Sequence, residues 1–586
     1  MKFSKFSQYL KKLEETPSLL EMTRVLAALF EEVTSAEVRP VAYLSLGEMA
    51  PLYEALRFNL AGKMMARVAS KVSGKDESRV TKLFNKVGDW GTVIEGLAGC
   101  GQKKDLDVAE VYEELRKVAE DAGAGSQERK VTSLTNLLLS LDPLSARYVT
   151  RIVLGKLRLG FGDKTMLDSL SWMRAGDKSL RGSLERAYNV CPDIGLIAQV
   201  FKEKGPQGSA AIKIALGRPL LPQRCQRAKN VAEVLERMGG KTATEPKFDG
   251  ERVQLHLDRN QQTSPLQARG GQSALELAGF SAPQFFIKAF TRNLDDVSHM
   301  FPDILEAAAK QLEAESVILD GEAMGFDAQT GEFVPFQVTA TRKRKYGVGE
   351  KAQEVPLKFF VFDILYKDGE SLLGRSFAER RKIMERVVGE GETVKLTPQK
   401  IITSAEAGER YLQKTLDEGL EGLVFKNLDS EYEAGGRGFS WIKLKGEKET
   451  VDAAILGYYV GEGRRAKFGI GGILVGVYDE ELDMFRTISK VGSGLTDEQF
   501  LEMRRRCDEL RVEKAPAQVD VPKELAPDVW ITPSMVVSIR ADEISKSPLH
   551  SSSYALRFPR LVGFREDKAA EDATTVAEIQ SLYELQ

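Results

Sequence analysis

The spacing of apolar residues divides the chain into regions with different patterns of apolar and polar positions. Over the first 214 residues, apolar positions recur every three or four residues, and breaks that contain Gly or Pro separate the segments. This spacing is typical of amphipathic helices that pack on one another. The clearest examples are Pro17–Val33, Val108–Ala122 and Val131–Ser140, together with the start MKFSKFSQYLKKLEE. We therefore expect residues 1–214 to form an all-α domain.

The texture changes at Leu216–Pro222, where two prolines and a glycine interrupt the helical spacing. Beyond it, compact apolar segments rich in β-branched and aromatic residues are typical of buried strands, and helical stretches lie between them. The predicted strands are Val317–Ala323, Leu357–Leu365 and Leu420–Lys426, and the predicted helices are Ala378–Val387 and Ala405–Asp417. Residues 215–447 are therefore expected to form an α+β domain.

Shorter strands with Gly-rich turns occupy the last part of the chain. We predict strands at Asp452–Tyr459, Gly471–Tyr478, Met484–Val491 and Val536–Ile544, with a helix at Asp497–Glu509. Several short strands around one helix favour a small closed β-barrel of the OB type over residues 448–586. A multidomain architecture also suits a chain of 586 residues, because one hydrophobic core seldom organises so many.

Composition excludes some classes of protein and leaves others open. The chain is 42% hydrophobic and 29% charged, and no apolar run approaches the length that spans a membrane. Its start lacks the apolar core of a signal peptide, so we do not expect export. The net charge of −3 does not itself point to nucleic acid, although a whole-chain sum does not exclude a local basic groove.

Cysteine and histidine are too scarce and scattered to dominate the chemistry. No two cysteines have the CxxC spacing of a zinc knuckle, so we expect buried, reduced thiols. A histidine-based hydrolase or zinc site would have to draw on three widely separated residues. We therefore expect a reaction that depends on Lys, Arg, Asp and Glu. The residues concerned are Cys100, Cys191, Cys225, Cys507, His256, His299 and His550.

The segment EPKFDGER at Glu245–Arg252 contains a candidate nucleophile. On a short strand, Lys247 and Asp249 would project to one face and Gly250 would turn the chain. A lysine beside a carboxylate at a turn is suited to covalent catalysis. Alone, the KxDG pattern is weak, because a surface Lys–Asp pair next to a turn is the commoner explanation of one such match.

Further motifs follow this segment in a definite order. They are AFTRNLDDVS with Arg292, ILDGEA with Asp320 and Glu322, FFVFDIL with Phe362, EGLVFK with Glu421 and Lys426, and WIKLK with Lys443 and Lys445, preceded by Arg437. In WIKLK, strand alternation places Trp441, Lys443 and Lys445 on one face. Two lysines on one face repel each other unless an anion lies between them, and a triphosphate is such an anion.

In type and order, these motifs resemble those of the ATP-dependent DNA ligases, especially the archaeal and eukaryotic replicative type of this covalent nucleotidyltransferase superfamily. LRFPRLVGFREDK at Leu556–Lys568 is similar to the family's C-terminal motif. GEGRRAKFGIGG at Gly461–Gly472 is similar to the start of its OB domain, and Arg147–Leu170 resembles the signature of its helical DNA-binding domain. The resemblance thus extends from the first third of the chain almost to its end.

The resemblance implies an enzyme that seals nicks between a 5′-phosphate and a 3′-hydroxyl in duplex DNA, in replication, repair and recombination. Lys247 would attack the α-phosphate of ATP, release pyrophosphate and become adenylated. AMP would then pass to the 5′-phosphate, and the 3′-hydroxyl would displace it. Because a free lysine has a pKa of about 10.4, neighbouring cations, a metal or desolvation must activate it. Lys443 and Lys445 are placed to lower that pKa.

The resemblance also implies which residues bind the nucleotide. Arg252, Arg292 and Arg437 would contact the sugar or the phosphates, where a guanidinium group suits oxyanions. Phe362 would stack on adenine, and Lys426 would hold the AMP phosphate. The implied nucleotide-binding set is Glu245, Lys247, Arg252, Arg292, Glu322, Phe362, Lys426, Arg437, Lys443, Lys445, Arg565 and Lys568.

Three further roles follow from the same resemblance. Glu322 and Glu421 would serve the ribose and bind Mg²⁺, for which Mn²⁺ can substitute. Asp249 would orient the DNA end or the metal in the later steps. Arg565, Asp567 and Lys568 would act when the OB domain closes over ATP, before it swings away to clamp DNA. The residues with these roles are Glu322, Glu421, Asp249, Arg565, Asp567 and Lys568.

The expected partner is nicked double-stranded DNA. We expect a monomer with no membrane contact, cytoplasmic and nucleoid-associated in a prokaryote or nuclear in a eukaryote. A sliding clamp is a possible partner, but Met1–Thr16 contains no convincing clamp-binding peptide. The sequence leaves open whether the enzyme uses ATP strictly or also accepts ADP, GTP or NAD.

Other classes share some of these features. RNA ligases and mRNA capping enzymes share KxDG, but the long helical region and the RFPR…REDK ending argue against both. NAD-dependent DNA ligases have a four-cysteine zinc module that the cysteine spacing here does not provide. GGKT at Gly239–Thr242 invites comparison with a P-loop, although Leu235 replaces its leading glycine. A non-catalytic DNA-binding scaffold would have little need for both Lys247 and Lys426 with a full set of carboxylates.

One segment departs from the family's spacing, and two others keep two interpretations each. Asn260–Pro283 looks like a surface insertion between paired strands, and it makes the assignment of Arg292 less direct. Arg342–Lys345 (RKRK) either contacts the DNA backbone or forms a solvated loop. The basic, Gly-containing Ala146–Leu170 either grips phosphates or forms a helix–turn–helix with a solvated basic face.

Overall fold

A computed structural model describes residues 1–98, 103–262, 285–334, 336–344, 347–446, 450–461 and 463–584. Most of the Asn260–Pro283 insertion lies outside these residues, as do Cys100 and Lys345. Cys191 and Cys507 are buried free thiols as expected, whereas Cys225 is a free thiol that is only half-buried. No helix in the described ranges has the length and apolar character needed to span a membrane.

The N-terminal region is a bundle of helices around one apolar core, which confirms the prediction of a helical region. Apolar residues from Phe3 to Phe201 share that core, so the first and last helices of the bundle pack into one unit. The last helix is kinked at Gly205 and Pro206. The helices are Phe3–Glu15, Leu19–Glu32, Val38–Leu46, Gly62–Ser73, Glu77–Val87, Trp90–Leu97, Val108–Glu120, Ser126–Ser140, Pro143–Val153, Asp163–Ala175, Arg181–Val190 and Ile194–Ala210, with a 3-10 turn at Leu52–Glu54.

Two arginines of the basic Ala146–Leu170 segment lie inside this bundle. Arg151 is 4% exposed and forms ion pairs with Asp89 at 2.7 Å and Glu14 at 2.9 Å. Arg147 pairs with the same Glu14 at 2.5 Å. The prediction of a phosphate grip or a solvated basic face is therefore wrong for these two side chains, because their charges join helices that are distant in sequence.

The middle region contains two sheets, and the predicted strands and helices are confirmed. The strands are β1 (Gln226–Arg227), β2 (Thr242–Lys247), β3 (Glu251–Gln262), β4 (Phe285–Thr291), β5 (Ser316–Gly325), β6 (Leu357–Lys367), β7 (Glu370–Ser371), β8 (Val394–Leu396), β9 (Lys400–Ile402), β10 (Gly422–Lys426) and β11 (Trp441–Lys445). One sheet has the order β1–β11–β10–β2–β9, and the other β4–β3–β5–β6–β7, with β8 paired to β6. The helices are Val231–Arg237, Pro302–Gln311, Phe336–Ala340, Val348–Glu354, Phe377–Val387 and Ala405–Asp417, with a 3-10 turn at Ser298–Met300.

The alternation of apolar residues along β5 explains how the two sheets face each other. Val317 and Leu319 belong to a core beneath one face of their sheet. Ile318, which points to the opposite face, packs in a separate cluster with Trp441 of β11. Both faces of β5 are therefore covered, and one of them meets the other sheet. This packing places β5, β6 and β11 around a shared interior.

The C-terminal region is rich in strands, as predicted. It contains β12 (Val451–Tyr459), β13 (Gly472–Asp479), β14 (Met484–Val491), β15 (Arg511–Val512), β16 (Val519–Asp520), β17 (Val529–Ile531), β18 (Val536–Arg540), β19 (Glu543–Lys546), β20 (Tyr554–Arg557) and β21 (Arg560–Phe564). Its helices are Asp497–Glu509 and Val576–Glu584, with 3-10 turns at Gly463–Phe468, Lys523–Leu525 and Ala570–Asp572.

The strand order β15–β17–β12–β13–β14–β16, with β18 on β12 and β21, wraps most of these strands around one core. The single strand predicted at Val536–Ile544 is wrong. It is two strands, because β18 pairs with β12 and β21 whereas β19 pairs with β20.

The C-terminal region contacts both preceding regions. Arg292 of the middle region forms an ion pair with Asp572 at 2.9 Å. The ammonium group of Lys164, in the helical region, lies 5.0 Å from the ring centroid of Tyr478. These contacts hold the C-terminal region over the interior that β5, β6 and β11 surround.

The RKRK segment begins with an internal anchor. The Arg342 side chain is 0% exposed and donates to both carboxylate oxygens of Asp303, at 2.8 and 2.9 Å, and to the carbonyl oxygen of Val355 at 2.7 Å. Lys343 forms an ion pair with Glu251 at 3.2 Å. Neither interpretation of RKRK, a DNA contact or a solvated loop, holds for Arg342.

Candidate active site

A cavity of about 210 Å³ lies between the two sheets of the middle region, with residues of the C-terminal region along one side. It brings together all the residues that the sequence analysis assigned to the nucleotide, the metal and catalysis. They are Glu245, Lys247, Asp249, Arg252, Arg292, Glu322, Phe362, Glu421, Lys426, Arg437, Lys443, Lys445, Arg565, Asp567 and Lys568. The order of the motifs along the chain is therefore the order in which successive strands reach one cavity.

The candidate nucleophile, Lys247, lies at the end of β2 beside β10. Its ammonium group forms an ion pair with the carboxylate of Glu421. Burial alone would lower the pKa of Lys247, but the carboxylates of Glu421 and Glu322 outweigh burial and raise it above the ordinary value. The expectation that Lys443 and Lys445 depress this pKa is therefore wrong, because the effect of the two carboxylates is larger.

The two lysines of WIKLK lie on one face of β11, as alternation predicts, since Trp441, Lys443 and Lys445 all line the cavity. Burial, Arg227 and Lys445 lower the pKa of Lys443 well below its usual range. Burial and Lys247 lower the pKa of Lys445. The repulsion expected among these lysines is thus present, but at Lys247 the carboxylates of Glu421 and Glu322 outweigh it.

The loop after the nucleophile is not the strand that was predicted. β2 ends at Lys247, and Asp249 lies in the turn before β3 rather than one strand position further along the same face. Gly250 has no room for a side chain, because a Cβ there would lie 2.4 Å from the carbonyl oxygen of Ala323 and 3.0 Å from Cγ of Glu322. The glycine therefore lets the loop approach the strand that carries Glu322.

Aromatic residues form one end of the cavity. The rings of Phe362 and Trp441 lie 5.8 Å apart and nearly perpendicular. The ammonium group of Lys426 donates to the carbonyl oxygen of Phe362 at 2.7 Å and pairs with Glu245 at 2.7 Å. A flat base can stack on Phe362 with the Glu245 carboxylate at its edge. The structure places Lys426, which was expected to hold the AMP phosphate, at this aromatic end, where it is 1% exposed and paired with Glu245.

Each of the three arginines expected to contact the nucleotide is paired with a carboxylate. Arg252 makes two hydrogen bonds to Asp320, at 3.1 and 2.7 Å, and its guanidinium lies 5.3 Å from the ring centroid of Phe362. Arg292 pairs with Asp572 at 2.9 Å, and Arg437 pairs with Glu578 at 2.6 Å. The last two ion pairs join the middle region to the C-terminal region.

The C-terminal motif reaches the cavity from β21. Arg565 donates to both carboxylate oxygens of Asp567, at 2.8 and 2.6 Å, and pairs with Asp452 at 3.2 Å. Lys568 pairs with the same Asp452 carboxylate. Burial lowers the pKa of Lys568 despite that partner. Asp452, which the sequence analysis did not single out, thus pairs with two cations of the C-terminal region, Arg565 and Lys568, at the cavity.

The carboxylates of Glu322 and Glu421 fit a divalent cation. Both line the cavity, and hard cations prefer oxygen ligands such as these. Burial raises the pKa of Glu322 to about 8, and among the described residues its side chain has no hydrogen-bond donor. Lys247 and Lys445 instead lower the pKa of Glu421 to about 2, against the effect of burial. Lys247 and Arg252 therefore offset the burial of Glu322 only in part, and a bound cation would offset it further.

Several cavity residues escaped the sequence analysis. Arg227 lies on the two-residue strand β1, which pairs with Lys443 of β11 and has no apolar pattern of its own. Thr397 follows β8 in a segment without a recognisable motif. Glu578 could have been found, because Thr575 and Glu578 have the spacing of a helix capping box.

The GGKT segment is not a P-loop. Gly239 and Gly240 form a turn with φ of +70° and +83° after the helix Val231–Arg237, and Thr242 begins strand β2. A P-loop runs from a strand into a helix, whereas this segment runs from a helix into a strand. The P-loop alternative is therefore excluded.

Comparison with known proteins identifies the family. The model described as DNA ligase N terminus matches residues 2–171, that of the ATP dependent DNA ligase domain residues 284–445, and that of the ATP dependent DNA ligase C terminal region residues 466–568. A protein of Dictyoglomus turgidum named probable DNA ligase is 41% identical over 596 residues, covering 100% of this chain and 97% of its own. DNA ligase 1 of Methanosarcina acetivorans is 36% identical over 604 residues, covering 100% of both chains.

Solved structures of ligases are also similar, at lower identity. The structure of mycobacterial DNA ligase D complexed with ATP and MES is 23% identical, with a TM-score of 0.34, over 60% of this chain and 97% of that one. The three family models and the full-length relatives agree with each other and with the cavity described above. The chain therefore belongs to the ATP-dependent DNA ligase family and is an enzyme of that family.

Proposed function

We propose that this chain seals nicks between a 5′-phosphate and a 3′-hydroxyl in duplex DNA through a lysyl-AMP intermediate on Lys247 and a DNA-adenylate. One observation supports this proposal above all. Lys247 shares a single cavity with the cations Lys443, Lys445 and Lys568 and with the aromatic ring of Phe362. A nucleoside triphosphate needs both a surface on which its base stacks and cations along its phosphates.

The base of ATP would lie against Phe362, with Glu245 at its edge and Arg252 beside the sugar. The phosphates would extend past Lys247 toward Lys443 and Lys445. In this arrangement the phosphates would offset the burial and the neighbouring cations that lower the pKa values of Lys443 and Lys445. ATP binding and the charged state of these lysines would therefore stabilise each other.

In the first step the ε-nitrogen of Lys247 forms a bond to the α-phosphorus, and the bond to the departing pyrophosphate breaks. The proton on Lys247 must first pass to solvent, and the ion pair with Glu421 opposes that loss. Mg²⁺ at Glu322 and Glu421, with Mn²⁺ able to substitute, would neutralise these carboxylates and stabilise charge on the phosphates. In the second step the bond between Lys247 and AMP breaks as AMP passes to the 5′-phosphate of the nick. In the third step the 3′-hydroxyl attacks that 5′-phosphate and AMP leaves, with Asp249 orienting the DNA end.

The domains would divide this work. We propose that residues 1–214 bind DNA, that residues 215–447 carry out adenylation, and that residues 448–586 form an OB-fold domain. The last domain presents Arg565 and Lys568 to the cavity, and it would turn away so that the duplex can enter. We further propose a monomer that acts in replication, repair and recombination, with a sliding clamp as a possible partner.

A labelling experiment tests the proposal. The protein is incubated with α-labelled ATP and Mg²⁺, and nicked duplex with a 5′-phosphate is then added. We expect an acid-labile, base-stable label on the protein, which nicked DNA removes as the nick is sealed. Lys247→Ala should abolish the label, whereas Lys241→Ala, at an exposed lysine on the same chain segment, should retain it. A non-catalytic scaffold would take up no label, and Lys247→Ala would not alter its DNA binding.

A further inference from the structure

At the aromatic end of the cavity, one buried hydroxyl has no function in the chemistry described above. Thr397 is 1% exposed, lines the cavity, and its Oγ1 atom has no hydrogen-bond partner among the residues that the structure describes. A hydroxyl buried without a partner is destabilising, and one that lines a cavity can gain a partner from a ligand bound there.

The main chain fixes Thr397 beside the proposed base site. Its backbone N–H donates to the carbonyl oxygen of Val361 at 2.8 Å, next to Phe362. The Nη1 atom of Arg381 donates to the carbonyl oxygen of Thr397 at 3.0 Å. The same atom lies 3.7 Å from the carboxylate of Glu245. Thr397 and Glu245 therefore lie close together at the edge of the part of the cavity beside Phe362 in which the base would stack, which we call the slot.

The carboxylate of Glu245 is held firmly in place. Gln399 donates to one of its oxygens at 3.0 Å, and Lys426 pairs with the other at 2.7 Å. The edge of the slot thus combines a fixed acceptor, Glu245, with an unused donor, the hydroxyl of Thr397. These two groups match the edge of adenine, in which an amino donor at position 6 lies beside a ring-nitrogen acceptor.

We propose that Thr397 is a specificity-determining residue, whose hydroxyl donates to a ring nitrogen of adenine and sets the register in which the 6-amino group meets Glu245. Guanine held in the same register would place its 6-oxo acceptor against the carboxylate, which is unfavourable. The inference rests on the proposed lysyl-AMP function, because it assigns the base end of the same site.

The test measures lysyl-nucleotide formation with α-labelled ATP and α-labelled GTP in single turnover with enzyme in excess, so that slow use of GTP is visible. Thr397→Val removes the hydroxyl with little change of shape. We expect it to lower the rate with ATP about five- to tenfold. The rate with GTP should change much less, because guanine does not use that register, so the preference for ATP falls.

Thr244→Val is the matched control. Thr244 is also buried with an unpartnered hydroxyl in the described structure, but on β2 it points away from the face that presents Glu245, and it does not line the described cavity. This variant should keep the wild-type preference. Thermal unfolding without nucleotide gives a second measurement, in which Thr397→Val should be at least as stable as wild type because an unsatisfied buried hydroxyl is removed.

The inference is overturned if Thr397→Val keeps the wild-type preference for ATP, if both rates fall together, or if Thr244→Val changes the preference to the same extent. A wild-type protein that takes up label from ATP while any of these results is obtained keeps the proposed function and loses only the role of Thr397. No label from ATP on the wild-type protein overturns both.

Discussion

Lys247 and Glu421 are joined twice, through their backbones and through their side chains. The backbone N–H of Glu421 donates to the carbonyl oxygen of Lys247 at 3.2 Å, and their side chains form an ion pair. The candidate nucleophile Lys247 is therefore held in its charged form by Glu421, a residue of the proposed metal site. Activation requires that this carboxylate be drawn away from Lys247, which couples the proposed metal ligand to the proton on the nucleophile.

Replacing Glu421 with Gln separates these two effects. The loss of the carboxylate lowers the pKa of Lys247, so the pH profile of adenylation should move to lower pH. The maximal rate should fall by at least an order of magnitude, because a proposed metal ligand is lost. Single-turnover labelling with ATP across a range of pH measures both, and Glu418→Gln, at an exposed residue on the neighbouring helix end, should change neither. A profile that stays in place would show that Glu421 does not hold the proton.

The close approach at Gly250 makes it intolerant of a side chain. In Gly250→Ala the new Cβ would meet the backbone of Ala323 and the side chain of Glu322, so the loop with Asp249 must move. We expect adenylation to fall by about two orders of magnitude, the loss typical of misplaced reacting groups, with thermal stability largely kept. Gly374→Ala is the control, since a Cβ there meets nothing within 4 Å. Equal activity of the two variants would contradict the geometry described for the nucleophile loop.

The ion pair between Arg380 and Asp363 stabilises the sheet beneath the cavity. Both side chains are 0% exposed, and the closest nitrogen–oxygen distance is 2.7 Å. Arg380→Met leaves a buried carboxylate without its partner, so the free energy of unfolding of the middle region should fall by about 3–5 kcal/mol. Arg375→Met, which removes an exposed pair with Glu370, should leave denaturant unfolding unchanged within error. Similar destabilisation by both substitutions would show that burial of the pair is not decisive.

The buried imidazole of His256 makes stability depend on pH. Burial lowers its pKa to about 3, below the value near 6.5 of the unfolded chain, so the folded state holds fewer protons between these values. Its contribution is complete above pH 6.5 and is lost as pH falls toward 3, at up to about 1.4 kcal/mol per pH unit. His256→Gln keeps an acceptor for the backbone N–H of Gly217, which now donates to Nδ1 at 3.2 Å. In urea unfolding, the free energy of unfolding should fall less between pH 7 and pH 5 for this variant than for wild type. An equal fall in the two proteins would show that His256 is not the source of the pH dependence.

The periodicity of apolar residues was sufficient to predict the helical region, most of the strands, and the shared face of the three residues of WIKLK. Trp441, Lys443 and Lys445 illustrate this, because alternation along one strand is a local property that the sequence displays directly. The other site residues were assigned from the resemblance of the ordered motifs to a known family, and all of them line the same cavity.

The charge environment could not be predicted in this way, because it depends on partners that are distant in sequence. Arg342 looked like part of a solvated basic run, yet Asp303 and the backbone of Val355 bury it. Lys247 was expected to be activated by cations, but the carboxylates of Glu421 and Glu322 raise its pKa. Such pairings arise only when separate elements pack together.

The measurement that tests the central claim most directly is the identification of the modified residue. The protein is treated with ATP and Mg²⁺ without DNA, digested, and examined by peptide mass spectrometry. The account predicts an AMP adduct on the peptide that contains Lys247, and its disappearance after addition of nicked duplex. An adduct on Lys443, Lys445 or Lys568 instead, or no adduct under conditions in which nicks are sealed, would contradict it.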